Sequence, residues 1–133
     1  MDHATAQTWL DRYVAAWLSY EADDIAALFS EDVRYRYYSY ADWVVGRDAV
    51  VASWRGEAGD DEAQGSSRDA PGTYHASYTP VAVDGDVVVA TGTSTYTESP
   101  GGPVTQVFDN CFVIHFDADG RCCEFTEYYT KRP

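Results

Sequence analysis

The sequence predicts an α+β fold in which three N-terminal helices pack on a curved antiparallel sheet, within one domain spanning residues 1–133. Three observations predict it. Apolar residues recur at helical spacing near the start of the chain. Four segments of alternating pattern, punctuated by Gly-containing turns, fill its second half. A length of 133 residues with 45% hydrophobic and 23% charged side chains suits a single core.

Helix one is expected over Thr5 to Tyr20, where Trp9, Tyr13, Trp17 and Tyr20 fall on one face and Leu10, Val14 and Leu18 widen the buried stripe. A short second helix is expected over Asp23 to Phe29. Ile25, Leu28 and Phe29 share its face, Asp23 and Asp24 suit its positive N-terminus, and Ser30-Glu31-Asp32 ends it. Val33 to Tyr40, dense in aromatic and β-branched residues, reads as a strand. Gly46-Arg47-Asp48 then opens a third helix carrying Ala49, Val50 and Trp54. From Gly56 to Gly72 apolar side chains nearly vanish, which predicts a flexible loop inside the fold.

The remaining strands are expected over Tyr74–Val83, Asp86–Thr97, Val104–Phe116 and Arg121–Thr130, joined as a meander through Asp84-Gly85, Pro100-Gly101-Gly102 and Asp119-Gly120. In the third of these, Phe108, Asn110, Phe112, Ile114 and Phe116 form the greasier face and should point inward, because side chains alternate across a strand. A two-residue turn at Asp119-Gly120 would place Cys123, Phe125, Glu127 and Tyr129 on the same inner wall, with Glu127 opposite Phe112. A four-residue turn would pair Glu127 with Asn110, and a three-residue turn would send it outward. Buried without a partner, a carboxylate there would cost several kcal/mol or stay protonated. Thr91, Thr93 and Thr95 alternate with Gly92, Ser94 and Tyr96, so the threonine row is either a solvated face or a hydroxyl-lined cavity wall.

With 22 acidic against 9 basic side chains the net charge is −13, which argues against nucleic acid and anionic membrane as partners. No apolar run approaches the roughly 20 residues of a membrane span, and Met1-Asp2-His3-Ala4 does not resemble a secretory leader, so a cytoplasmic location is expected. Cys111, Cys122 and Cys123 suit neither a disulfide framework nor a zinc site and are expected to be reduced packing residues. His3, His75 and His115 are expected away from any active centre. No metal-ligand spacing, phosphate loop or nucleophile elbow is present, so neither metal nor cofactor is expected.

Three stretches then carry a family likeness. They are Arg12-Tyr13-Val14-Ala15-Ala16 with Asp24 to Val33; Gly46-Arg47-Asp48-Ala49-Val50; and Phe116 to Arg121 leading to Glu127-Tyr128-Tyr129. Together they resemble the SnoaL-like and ketosteroid-isomerase-like branches of the nuclear transport factor 2 superfamily. The resemblance implies a cone-shaped α+β barrel with a mixed sheet and one small-molecule pocket. It places Tyr13 where steroid isomerases keep an oxyanion-hole tyrosine, while their base falls at or next to Tyr37 and their second acid near Phe112, so both carboxylates are replaced. Limonene-epoxide-hydrolase-like members carry an Arg and an Asp at the positions of Phe108 and Asn110, and an Asp near Glu127. SnoaL-type cyclases use an inward acid, a part that Glu127 has the parity to play.

The expected function is cofactor-free acid/base chemistry, as a cyclase, isomerase, dehydratase or hydrolase, on a small hydrophobic oxygenated molecule. Glu127, Asn110 and Tyr13 are the catalytic candidates. Trp9, Trp17, Tyr37, Trp54, Thr93, Thr95, Phe108, Phe112, Phe125 and Tyr129 are the binding candidates. The other reading is a non-catalytic ligand-binding or dimerisation module in which Glu127 is held by structural hydrogen bonds. The resemblance also implies a homodimer through the outer sheet face, which carries Val107, Cys111 and Val113.

Overall fold

A computed structural model describes residues 1–57 and 68–133, so the expected loop over 56–72 lies largely outside the described residues. The order of elements is α1 (His3–Ser19), α2 (Ala22–Ala26), β1 (Phe29–Arg36), β2 (Val44–Val45), α3 (Arg47–Trp54), β3 (Tyr74–Asp84), β4 (Val87–Thr97), β5 (Val104–Phe116) and β6 (Cys122–Lys131). The six strands form one curved, mixed sheet in the order β2-β1-β6-β5-β4-β3. The barrel expected from the sequence is therefore open, with β2 and β3 at its edges and the helices covering its inner face.

Asp2 caps α1, its carboxylate accepting from Thr5 N at 2.8 Å, and the helix ends where Tyr20 takes a left-handed conformation at φ 52°. Ala6, Trp9, Leu10, Tyr13 and Ala16 are its buried stripe; Leu18, expected beside that stripe, is exposed. The second helix stops at Ala26, and Phe29 begins β1, three residues before the expected end of the helix and four before the expected start of the strand. The strand also ends early. A turn closed by Ala41 N donating to Tyr38 O at 3.0 Å carries Tyr37 to Tyr40 off the sheet, and β2 returns to pair Val44 with Tyr35. β1 lies parallel to β6, with Tyr35 beside Phe125.

The hairpin joining β5 to β6 resolves the question of Glu127's face. Asp117 N donates to Arg121 O at 2.8 Å, closing a three-residue loop, and Asp117 Oδ1 accepts from Asp119 N and Arg121 N. That loop alone would turn Glu127 outward. A bulge between the pairs Phe116–Cys122 and His115–Glu124 restores the lost residue, so Phe112 faces Glu127 as a two-residue turn would have arranged. The correction falls on the cysteines: Cys122 is fully buried and Cys123, expected inward, is only partly so.

The core lies between the helices and the inner face of the sheet. Tyr13 stacks on Phe125 with ring centres 5.5 Å apart, and Phe125 stacks on Tyr35 at 4.7 Å. Such pairs add roughly 0.5–1.5 kcal/mol each to the area they bury. Trp54, fully buried, meets Tyr13 and Trp17 edge-on. Among the described residues no helix is long and apolar enough to cross a membrane.

Candidate functional site

Above this aromatic floor a cavity of about 310 Å3 opens between α1 and the sheet. Tyr13 and Trp17 reach it from α1, Tyr35 from β1, Tyr37 and Tyr38 from the turn beyond, Tyr74 and Tyr78 from β3, Ser94 and Tyr96 from β4, Phe108 and Asn110 from β5, and Glu127 and Tyr129 from β6. Eight of the chain's eleven tyrosines line one space. An adjoining basin of about 610 Å3 shares Tyr38, Asn110, Glu127 and Tyr129 with it, so Glu127 stands where the two meet.

Among the described residues Glu127 is the one acid of the inner cavity. Asn110 Nδ2 donates to its Oε1 at 2.6 Å, across the diagonal from Phe112, and Ser94 Oγ donates to Asn110 Oδ1 at 3.0 Å. This chain crosses three strands and fixes the amide so that its donor faces the carboxyl. Oε2 has no protein partner among the described residues. Although the residue keeps some exposure, burial dominates and raises the carboxyl pKa from 4.5 to about 7, with the Asn110 hydrogen bond pulling the other way.

The phenols belong to the same electrostatic space. Tyr13 and Tyr35 hydroxyls stand 3.4 Å apart, and burial, reinforced by each other's neighbours and by the charge of Glu127, raises both pKa values well above the usual 10. They are neutral donors at physiological pH. Tyr74 and Tyr78 hydroxyls meet at 3.2 Å, and burial takes Tyr78 to about 12. Tyr37 OH pairs with Ser53 Oγ at 2.5 Å. Among the described residues no group of His, Cys, Asp and Glu is arranged to hold a metal.

The structure brings Tyr13, Asn110 and Glu127 together at one cavity, with Trp17, Tyr37, Phe108 and Tyr129 around them. Phe112, Phe125 and Trp54 lie beneath, fully buried in the floor, and Trp9 is a core residue whose Nε1 donates to Leu28 O at 3.0 Å. Thr93 and Thr95 are placed on the opposite face of β4 and do not line the cavity; Ser94 pairs with the inward Phe108 across the sheet, which puts Ser94 and Tyr96 inside instead. Tyr74, Tyr78, Ser94 and Tyr96 were absent from the expected lining. The alternation Tyr74-Ala76-Tyr78 carried the signal for two of them, and the parity of Phe108 would have settled the others once its register with β4 was known.

The sequence profile of the SnoaL-like domain matches residues 10–125. A search of curated proteins finds no match. Among solved structures the chain is similar to a protein from Kribbella flavida, provisionally designated a ketosteroid isomerase, with 16% identity, a TM-score of 0.66, and coverage of 99% of this chain and 82% of that one. It is similar to an NTF-2 like protein of unknown function from Burkholderia xenovorans, at 12% identity, TM-score 0.65 and 96% and 84% coverage. It is also similar to an LEH-like epoxide hydrolase from M. tuberculosis, at 18% identity, TM-score 0.64 and 96% and 84% coverage. At such identities these likenesses speak for the fold. With the profile spanning most of its length and the open cone of helices and mixed sheet in place, the chain belongs to the SnoaL-like domain family.

Proposed function

We propose that this protein is a cofactor-free acid/base enzyme acting on a small hydrophobic carbonyl compound, with Glu127 as the proton-transfer group. One observation carries the reading. Burial raises the pKa of Glu127, the cavity's one acid among the described residues, to about 7, while Oε1 accepts from Asn110 Nδ2 and Oε2 has no protein partner among the described residues. A general base or acid works best when its pKa lies near the working pH. A purely structural carboxylate would have both oxygens satisfied.

The chemistry balances without an added reagent. Glu127 Oε2 takes a proton from the carbon next to a carbonyl, and the C–H electron pair moves into the carbonyl to give an enolate oxygen. Tyr13 or Tyr35 donates its O–H to that oxygen, a stabilisation that grows as charge develops. Protonated Glu127 then returns the proton to the same carbon, which gives exchange; to the γ-carbon of the dienolate formed from a β,γ-unsaturated ketone, which gives isomerisation; or to an oxygen leaving the β-carbon as the enolate's electron pair forms the new double bond, which gives elimination. Asn110 holds the carboxyl and Ser94 holds Asn110.

The test is deuterium exchange at the α-carbon of hydrophobic enolisable ketones such as 2-tetralone, followed by NMR in D2O. Protein-dependent exchange is expected to fall at least 100-fold in Glu127→Gln, and 10-fold or more in Tyr13→Phe. Exchange that is absent, or that survives unchanged in Glu127→Gln, rules the reading out.

A further inference from the structure

The charge of the cavity's occupant is legible in what the walls lack. No Lys, Arg or His lines the inner cavity among the described residues, and residues 58–67 contain none either. Of the positive charges near this face, Arg132 is spent on Asp109, which it grips through two hydrogen bonds of 2.7 and 2.9 Å. Arg34 and Arg36 stack on Trp43, on the side of β1 away from the cavity. Lys131 shares Glu127's side of β6 but is exposed, four residues on, a separation of roughly 13 Å. Glu127 has no ion pair among the described residues.

What the walls do present, among the described residues, is aromatic side chains around one carboxyl group. Aromatic rings carry negative charge on their faces, and a cation close to Trp or Tyr rings is attracted more strongly when water is excluded. An anion would meet a repelling carboxylate with no compensating cation, inside a chain of net charge −13.

We propose that the cavity selects a cationic organic ligand, a protonated amine or quaternary ammonium on an apolar carbon frame, held between Glu127 and the aromatic side chains of Trp17, Tyr96 and Phe108. This rests on the acid/base reading for the identity of the site and adds the charge of its occupant. A positive centre next to Glu127 keeps its carboxyl ionised, and hence basic, in the bound state. The same centre makes neighbouring C–H bonds more acidic.

The experiment compares two probes of nearly identical shape, 3-hydroxyphenyltrimethylammonium and 3-tert-butylphenol, by calorimetric titration at pH 7.5. The cation is expected to bind at least tenfold more tightly, although the neutral probe is the more hydrophobic. In Glu127→Gln the cation is expected to weaken tenfold or more while 3-tert-butylphenol changes less than threefold, which also verifies that the variant's cavity is intact. The assignment is overturned if the cation binds no better than the neutral probe, or shows no measurable binding, or if Glu127→Gln weakens both probes equally. The two proposals fail separately. Ketone exchange that depends on Glu127 without cation selectivity removes only the charge assignment, and cation selectivity without exchange removes only the chemistry.

Discussion

Replacing Glu127 with Gln should stabilise the protein at alkaline pH and leave it nearly unchanged in acid. Gln keeps an oxygen to accept from Asn110 Nδ2, so the contact at 2.6 Å survives while the charge disappears. Burial raises the folded-state pKa to about 7 from 4.5, the value expected of the unfolded chain. The folded state then binds more protons than the unfolded state between those two values. The contribution of Glu127 to stability is fully present below pH 4.5, declines as pH rises, and is lost above about 7. At about 1.4 kcal/mol for each pH unit of difference, the ionised carboxylate costs about 3 kcal/mol at pH 8, and water reaching the partly exposed side chain makes that figure a ceiling. The Gln variant should therefore gain roughly 2–3 kcal/mol at pH 8, or roughly 5–10 °C in Tm for a domain of this size. Urea unfolding of both proteins at pH 5 and pH 8 measures it, and the difference between them cancels the titration of the other acidic groups. Equal differences at the two pH values would refute the reasoning, because they would mean that Glu127 titrates alike folded and unfolded.

Three further outcomes are expected. Asn110→Ala removes the one hydrogen bond that favours the ionised form, so the Glu127 carboxyl should titrate above 7 by carbon-detected NMR; an unchanged or lower pKa would show that Asn110 does not control it. Gly92→Ala would drive a methyl group into Ser77 O and Tyr78 Cα, where the strand tolerates no side chain, and should cost about 3 kcal/mol by urea unfolding; a loss under 1 kcal/mol would mean that β3 yields freely. Cys122 is enclosed in the core with its thiol pKa raised by burial, so it should resist alkylation in the native state and react only on unfolding, as read by peptide mass spectrometry; labelling at the unfolded rate would contradict its placement.

The parts of the fold that repeat locally were the most readable in the sequence. Alternation along β5 placed Phe108, Asn110 and Phe112 inward, and the spacing of Trp9, Tyr13 and Trp17 defined the inner face of α1. Features that depend on distant partners were not readable. The end of β1 at Arg36 is set by a turn that makes room for β2, and nothing within Tyr37 to Tyr40 announces it, since tyrosines suit strand and turn-flanking wall alike. The threonines of β4 misled for a related reason: β-propensity belongs to both faces of a strand, and only the register with Phe108 reveals which one meets the cavity. Strand parity puts Glu127 inward only if the turn has two or four residues, yet it reaches the cavity through a three-residue loop and a bulge whose effects cancel.

The parallel seam between β1 and β6 also bears on how the chain reaches this state. Arg34 and Glu124, joined across it by an ion pair of 3.3 Å, are 90 residues apart in sequence, whereas the pairings of β3 through β6 grow outward from their own hairpins. Closing a loop of that length costs chain entropy before any contact rewards it. The meander should therefore form the folding nucleus, with β1 and the helices docking afterwards. Core truncations such as Ile114→Val should slow refolding, while Val33→Ala should chiefly accelerate unfolding. The cavity closes only at that last step, so a ligand held between α1 and the sheet would slow the loss of the native state and leave the rate of folding nearly untouched.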